Sequence, residues 1–335
     1  MSKALIPIIC LLTTLIIITA YQIEEIRIII TPKRHQPFIA YTPYWFLDEE
    51  ENQKRANITW IRRDLDLVRE LGFKGIKLFC IEGLEKHNLT RKLLKYCNKI
   101  NLKVIMAFRI WRPEQFPKNV TVLREFSDFL RNLIPKIRDE EALYLYALHY
   151  PINYSDINGY AKTWFKNETY KLNLQQIINL IHQLDPNHNI YMALEFNPEL
   201  NPPLNLKNIM GFGVEPYSWN TPETINLEKI IAFLKYFEDK GKHAIIDEYG
   251  LQTNRGYDEW IITHGEVNHG YCINEKMKAK ILRYLVLWIF NKPYIWCYFA
   301  LHDTKEADWG IAYPNNTLKE SGVAVRSLLQ KTTNP

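Results

Sequence analysis

Residues 243–250 read HAIIDEYG, and the reading of this stretch decides the fold. A short apolar run, the mark of a buried strand, ends here in Asp247, Glu248, Tyr249 and Gly250. Carboxylates are costly to desolvate without a partner, so their place at the end of a buried strand needs a reason. One reason is a structural ion pair at the strand tip. The other is a parallel barrel that presents a catalytic carboxylate at its mouth. The second requires that strands and helices alternate on both sides of the stretch.

They do. PFIAYTPYW, FKGIKLFCIEG, LKVIMAFRIW, ALYLYALHYP, NIYMALEFN and IMGFGVEPYSW read as strands before it, and PYIWCYFALHD as a strand after it. Between them lie segments whose apolar residues recur at helical spacing. ITWIRRDLDLVRELG carries Trp60, Ile61, Leu65, Val68 and Leu71 on one stripe. LTRKLLKYCNKIN, VTVLREFSDFLRNLIPKI, LNLQQIINLIHQLD, LEKIIAFLKYFEDKG, EKMKAKILRYLVLWIFN and LKESGVAVRSLLQK continue the series. Eight strands in this rhythm predict an α/β fold, a (β/α)8 TIM barrel in one domain over 36–335. A doubly wound open sheet is the rival, but no GxGxxG follows the first strand. No internal repeat, linker or low-complexity tract divides the chain.

With 47% hydrophobic and 24% charged residues in a chain of 335, composition excludes a disordered protein. The net charge of +5 is spread without a basic block, so no nucleic-acid partner is expected. Residues 1–22 form a signal anchor or signal peptide, in which Ala4 to Ala20 is an uncharged run of about the minimum length for a membrane span. Ile18 is a poor residue three before a cut after Ala20, which favours an uncleaved transmembrane anchor and an exported, membrane-tethered body at the cell surface. Asn57, Asn88, Asn119, Asn153, Asn167 and Asn315 all open glycosylation sequons, consistent with an extracellular glycoprotein. Cys80, Cys97, Cys272 and Cys297 allow three disulfide pairings or remain buried thiols. No CxxC or HExxH occurs, His264 and His269 lie in a polar stretch, and neither a metal nor an organic cofactor is expected.

In a barrel the carboxyl ends of the strands face the active site. The tips here carry Tyr44 and Trp45, Glu82, Arg109 and Trp111, His149 and Tyr150, Glu195, Glu215 and Tyr217, Asp247 and Glu248, then Trp296 and Asp303. Acids, aromatics and an arginine at one rim suit a polyhydroxylated ligand. Asp247, one residue from Glu248, is expected to point the opposite way and pair with a helix cation.

IHQLDPNHNIYMALEF resembles the helix-to-strand passage before the fifth strand of β-mannanases and cellulases of glycoside hydrolase family 5, in clan A. GFGVEPYSWN is similar to that clan's sixth strand, HAIIDEYG to its seventh, and IWCYFALHD to its eighth with a sugar-stacking tryptophan. ADWGIAYPNNTLKESGVAVRSL resembles the closing segment. The resemblance implies a retaining glycosidase acting on a β-linked polysaccharide or cell-surface glycan. It makes Glu248 the nucleophile, Tyr217 the hydroxyl that orients it, and Trp296 a stacking platform; separately from the resemblance, Trp45, Trp111 and Trp219 are further candidate substrate-binding aromatics. A retaining enzyme needs an ionised carboxylate and a second, protonated carboxyl about 5 to 5.5 Å away.

The fourth strand departs from the pattern. Where the clan has a WNEP-like turn, this chain has ALHYP, with His149 for the asparagine and Tyr150 for the acid/base glutamate. A phenol, with a pKa near 10 against about 4.3 for glutamate, is a poor proton donor near neutrality. Three accounts fit: a carboxyl from a neighbouring strand replaces it, the barrel binds glycans without cutting them, or the register differs here. Glu215, standing where the sixth-strand histidine belongs, is the first candidate, and Glu195 the second. Glu215 as a plain structural partner of Tyr150 or Arg109 is equally consistent with the pattern.

Overall fold

Eight parallel strands close on one another in chain order, the first pairing with the last. The computed structural model describes residues 36–43, 57–109, 120–149, 168–195, 205–215, 227–251, 253, 274–290, 294–303 and 308–333. The strands are β1 (Gln36–Tyr41), β2 (Gly75–Leu78), β3 (Lys103–Arg109), β4 (Leu143–His149), β5 (Asn189–Glu195), β6 (Gly211–Glu215), β7 (His243–Tyr249) and β8 (Ile295–Tyr298). The helices are α1 (Ile58–Leu71), α2 (Ile81–Lys86), α3 (Thr90–Lys99), α4 (Val120–Ile137), α5 (Glu168–Leu184), α6 (Leu227–Glu238), α7 (Glu275–Phe290) and α8 (Glu320–Thr333). This is the (β/α)8 barrel that the alternation of the sequence predicts.

Two apolar layers follow from the strand period. Outward residues such as Ile39, Ile76, Val104 and Phe212 meet the helix stripes, including Ile61, Leu65, Val68 and Leu71 of α1, all buried. Trp60 departs from that stripe: it is only half-buried, with the Arg63 guanidinium 4.6 Å over its ring. Inward residues alternate small and large, Ala40, Ala107, Ala147 and Ala193 with Phe38, Ile105 and Tyr191, so side chains fill the barrel instead of leaving a pore. The start of α1 is set by Asn57, whose side chain accepts from the Thr59 N–H at 2.9 Å. Gly72 ends it at φ 96, and a Cβ there would come within 2.8 Å of the Leu329 Cβ, so helix cap and α8 contact both demand glycine.

The DPNH passage is a structural device on the amino-terminal face. Asp185, fully buried, accepts the Tyr146 hydroxyl at 2.8 Å, the Asn187 N–H at 3.0 Å and the His188 N–H at 3.3 Å. His188 Nδ1 lies 2.7 Å away, so one carboxylate locks the turn between α5 and β5. On the opposite face, Lys319 Nζ holds both oxygens of Asp303, at 2.7 and 2.8 Å, and ties the chain after β8 to the start of α8.

Two expectations are corrected here. FKGIKLFCIEG is not strand throughout: β2 ends at Leu78, Cys80 turns at φ 56, and Glu82 sits in the first turn of α2 instead of at a strand tip. Trp296 is not a stacking platform. It is 1% exposed and faces the helices, its ring edge-on to Phe73 at 6.2 Å. Strand parity explains this, because Cys297 and Phe299 take the inward positions. Cys97 and Cys297 are buried free thiols, while Cys272 lies outside the described residues. Among the described residues no helix is long and apolar enough to cross a membrane; the segment 1–22 lies outside them.

Candidate active site

At the carboxyl end of the barrel, β2, β4, β6 and β7 send ionisable side chains to one point. Lys77 of β2, wholly buried, is its centre. Its Nζ donates to Asp247 Oδ2 at 2.6 Å and to Glu248 Oε1 at 2.8 Å. Across the mouth, His149 Nδ1 lies 3.1 Å from Glu215 Oε1. Its Nε2 lies 3.5 Å from Asp247 Oδ2 and 3.6 Å from Glu248 Oε1. One ligand-type atom from each of His149, Glu215, Asp247 and Glu248 falls within 4.8 Å of the others. That donor set has the composition of a metal site, but the Lys77 ammonium lies against two of its carboxylates and already supplies a cation.

The expectation that Asp247 points away from Glu248 to a helix cation is overturned. Asp247 is inward, as parity with Ile245 requires, and takes the Tyr191 hydroxyl on its Oδ1. Glu248 reaches the same lysine because the pairing of β7 with β8 shifts register between Ile246 and Tyr249. Gly213 of β6 makes the room: a Cβ there would stand 2.6 Å from that of Asp247 and 2.9 Å from the Tyr191 ring.

Burial pulls the Lys77 ammonium toward neutrality, yet Asp247, Glu248 and Glu215 outweigh it and raise its pKa above the usual 10.5. The lysine is therefore a fixed positive charge. Burial raises the Glu248 carboxyl; Lys77 and His149 pull it down, Glu215 and Asp247 push it up, and the net direction is upward. Burial, reinforced by Asp247, keeps the Tyr191 phenol neutral and donating. Burial also drives the Cys297 thiol well above its ordinary value, so it stays protonated.

Of the residues expected at the site, Glu248, Glu215 and His149 are brought together. Glu195 lies opposite Glu215 in the strand register, and Arg109 opposite His149, with their side chains outside the described set. Tyr150, Tyr217, Trp45, Trp111 and Trp219 lie outside the described residues. Lys77 is the residue that sequence reasoning missed. Its signal was present, a lone charge inside the apolar run GIKLF, at the same parity as Phe79.

No protein-family model matches the chain, and no curated protein matches it in sequence. Solved structures do match. A family 2 β-galacturonidase from Eisenbergiella tayi, bound to galacturonate, aligns with TM-score 0.64 at 15% identity over 89% of this chain and 51% of its own. A GH5_18 structure from Streptomyces cattleya in complex with GlcNAc aligns with TM-score 0.62 at 12% identity, over 90% of this chain and 81% of its own. The fold is that of glycoside hydrolase barrels. A β-glucuronidase from Bacteroides uniformis, covalently bound to cyclophellitol-6-carboxylate aziridine, shares it at TM-score 0.66 and 14% identity, over 89% of this chain and 35% of its own. The chain thus spans about half the length of the galacturonidase.

Proposed function

We propose that this barrel is a retaining glycoside hydrolase, with Glu248 as nucleophile and Glu215 as the displaced acid/base. The observation that carries this reading is the approach of Glu215 and Glu248, one oxygen of each within 4.8 Å, at the carboxyl end of the barrel. Retaining enzymes hold their two carboxyl groups about 5–5.5 Å apart, whereas inverting ones leave about 6.5–9.5 Å for a water. The charges are consistent with these roles. When Glu215 holds the proton, its repulsion of Glu248 vanishes, and Lys77 remains to keep Glu248 ionised. Glu248 then attacks the anomeric carbon while Glu215 protonates the departing oxygen. In the second half-reaction Glu215 takes a proton from the attacking water.

The substrate class is a β-linked polysaccharide or glycan. With the sequons and the apolar segment 1–22, it is proposed to be met outside the cell by a membrane-tethered protein. A second reading, a glycan-binding barrel without turnover, draws on the tyrosine at 150 and on the hold of Lys77 over Glu248. Cyclophellitol aziridines of several β-sugar configurations, followed by peptide mapping, separate the two. An adduct on Glu248, lost in E248Q, supports the hydrolase; glycan binding with no adduct under any configuration supports the second reading.

A further inference from the structure

We propose that His149 and Glu215 share a single proton along the 3.1 Å line between Nδ1 and Oε1, and that this shared proton is the one given to the leaving group. The inference rests on the glycosidase reading above and supplies what the fourth strand lacks.

The argument is one of donors and acceptors. His149 is buried at the end of β4, with the Phe79 ring edge-on to its imidazole at 5.0 Å. Among the described residues, the charged groups facing it are Glu215 from β6, Asp247 and Glu248 from β7, and Lys77 from β2 behind those two acids. Tyr191 and Cys297, also in the barrel interior, are neutral. Among the described residues, Nε2 faces the Asp247 and Glu248 carboxylate oxygens at 3.5 and 3.6 Å, which accept, so Nε2 carries hydrogen. Nδ1 looks at Glu215, and two arrangements satisfy that contact. Either Nδ1 also carries hydrogen, giving imidazolium and carboxylate, or neutral Nδ1 accepts from a protonated Glu215. In both arrangements one proton lies between Nδ1 and Oε1. An asparagine at 149 has no ring nitrogen to hold it.

The proton count closes over the cycle. In the first half-reaction the bond from the anomeric carbon to the leaving oxygen breaks and a bond to Glu248 forms. The shared proton passes from Glu215 to the leaving oxygen, and Nε2 keeps its own. In the second, a water oxygen replaces Glu248 at the anomeric carbon and returns a proton to Glu215. His149 therefore acts through Glu215, as a positioning residue that sets how tightly the acid holds its proton. A proton held by two groups is harder to remove than one held by a glutamate alone.

The test uses the whole chain and two aryl β-glycosides, one with a dinitrophenyl and one with a phenyl leaving group. In H149N the alkaline limb of kcat/KM should move down by about one pH unit or more. At pH 7 the phenyl glycoside should lose about 10-fold or more, the dinitrophenyl glycoside much less, and activity should recover toward acid pH. Equal loss on both substrates at every pH, or an unmoved limb, overturns the inference. Histidine NMR on the wild type gives a reading free of turnover, the His149 signal being assigned by its absence from H149N. Its titration should lie above the ordinary histidine value and fall in E215Q; a titration that E215Q leaves in place also overturns the inference. A wild type that hydrolyses neither glycoside removes the hydrolase reading instead, and the NMR comparison still decides whether the proton is shared.

Discussion

Two buried aspartates, Asp185 and Asp247, sit at opposite faces of the same barrel and differ in one respect. Each takes a tyrosine hydroxyl, from Tyr146 and Tyr191 respectively. Around Asp185 the remaining neighbours are donors: two backbone N–H groups and the His188 ring. Around Asp247 the neighbours include two more carboxyl groups, Glu248 and Glu215, with one lysine and one histidine between them. The first cluster is balanced and holds a turn. The second has more negative charge than fixed positive charge and must bind protons, which is what acid/base chemistry uses. Burial is common to both; the surplus of acceptors separates them.

The comparison can be broken most severely at Glu248. E248Q should reduce turnover of aryl β-glycosides to background while circular dichroism and the thermal midpoint stay near wild type; retained turnover removes the nucleophile. Next comes K77M, which strands two buried carboxylates. It should destabilise the fold by about 3–5 kcal/mol, read by urea unfolding. A loss below about 1 kcal/mol would mean that the acids do not depend on the lysine.

D185N should cost about 1–3 kcal/mol by leaving donors unpaired, and should leave the pH profile of turnover unmoved. A shifted profile would erase the distinction between the faces. Trp296→Phe, which trims a ring packed under the helices, should cost stability without weakening glycan affinity. Isothermal titration with oligosaccharides checks this, and an affinity loss at unchanged stability would restore Trp296 to the binding surface.

The smallest effect is a pH dependence of stability. The Lys77, Tyr191, Tyr146, Cys97 and Cys297 pKa values are all raised, so the folded chain holds protons that the unfolded chain gives up. The contribution of each is complete below its unfolded value, 9.0 for the thiols, 10.0 for the phenols and 10.5 for the lysine. It is lost as pH rises through the raised folded value. The urea midpoint should therefore decline from pH 9 upward, and less steeply in K77M.

Local pattern carried the architecture far. The α4 segment VTVLREFSDFLRNLIPKI matches Val120–Ile137, and the HAIIDEYG run contains β7, His243–Tyr249, because periods of two and 3.6 residues are written into neighbouring side chains. Glu248, Glu215 and His149 were legible as tip residues for the same reason. The pattern misled where parity had to be counted: Trp296 shares its parity with Tyr298 and faces the helices, while Cys297 and Phe299 turn inward.

By itself, then, the sequence determined the order of strands and helices, the closure they imply, and the end of the barrel where acids gather. Tertiary structure alone decided that Lys77 meets Asp247 and Glu248 across 170 and 171 positions of chain, and that a register shift in β7 turns both acids to one lysine. The physical reason is range. Hydrophobic periodicity acts between neighbours along the chain, whereas charge pairing in a closed barrel is set by which strands meet and in what register.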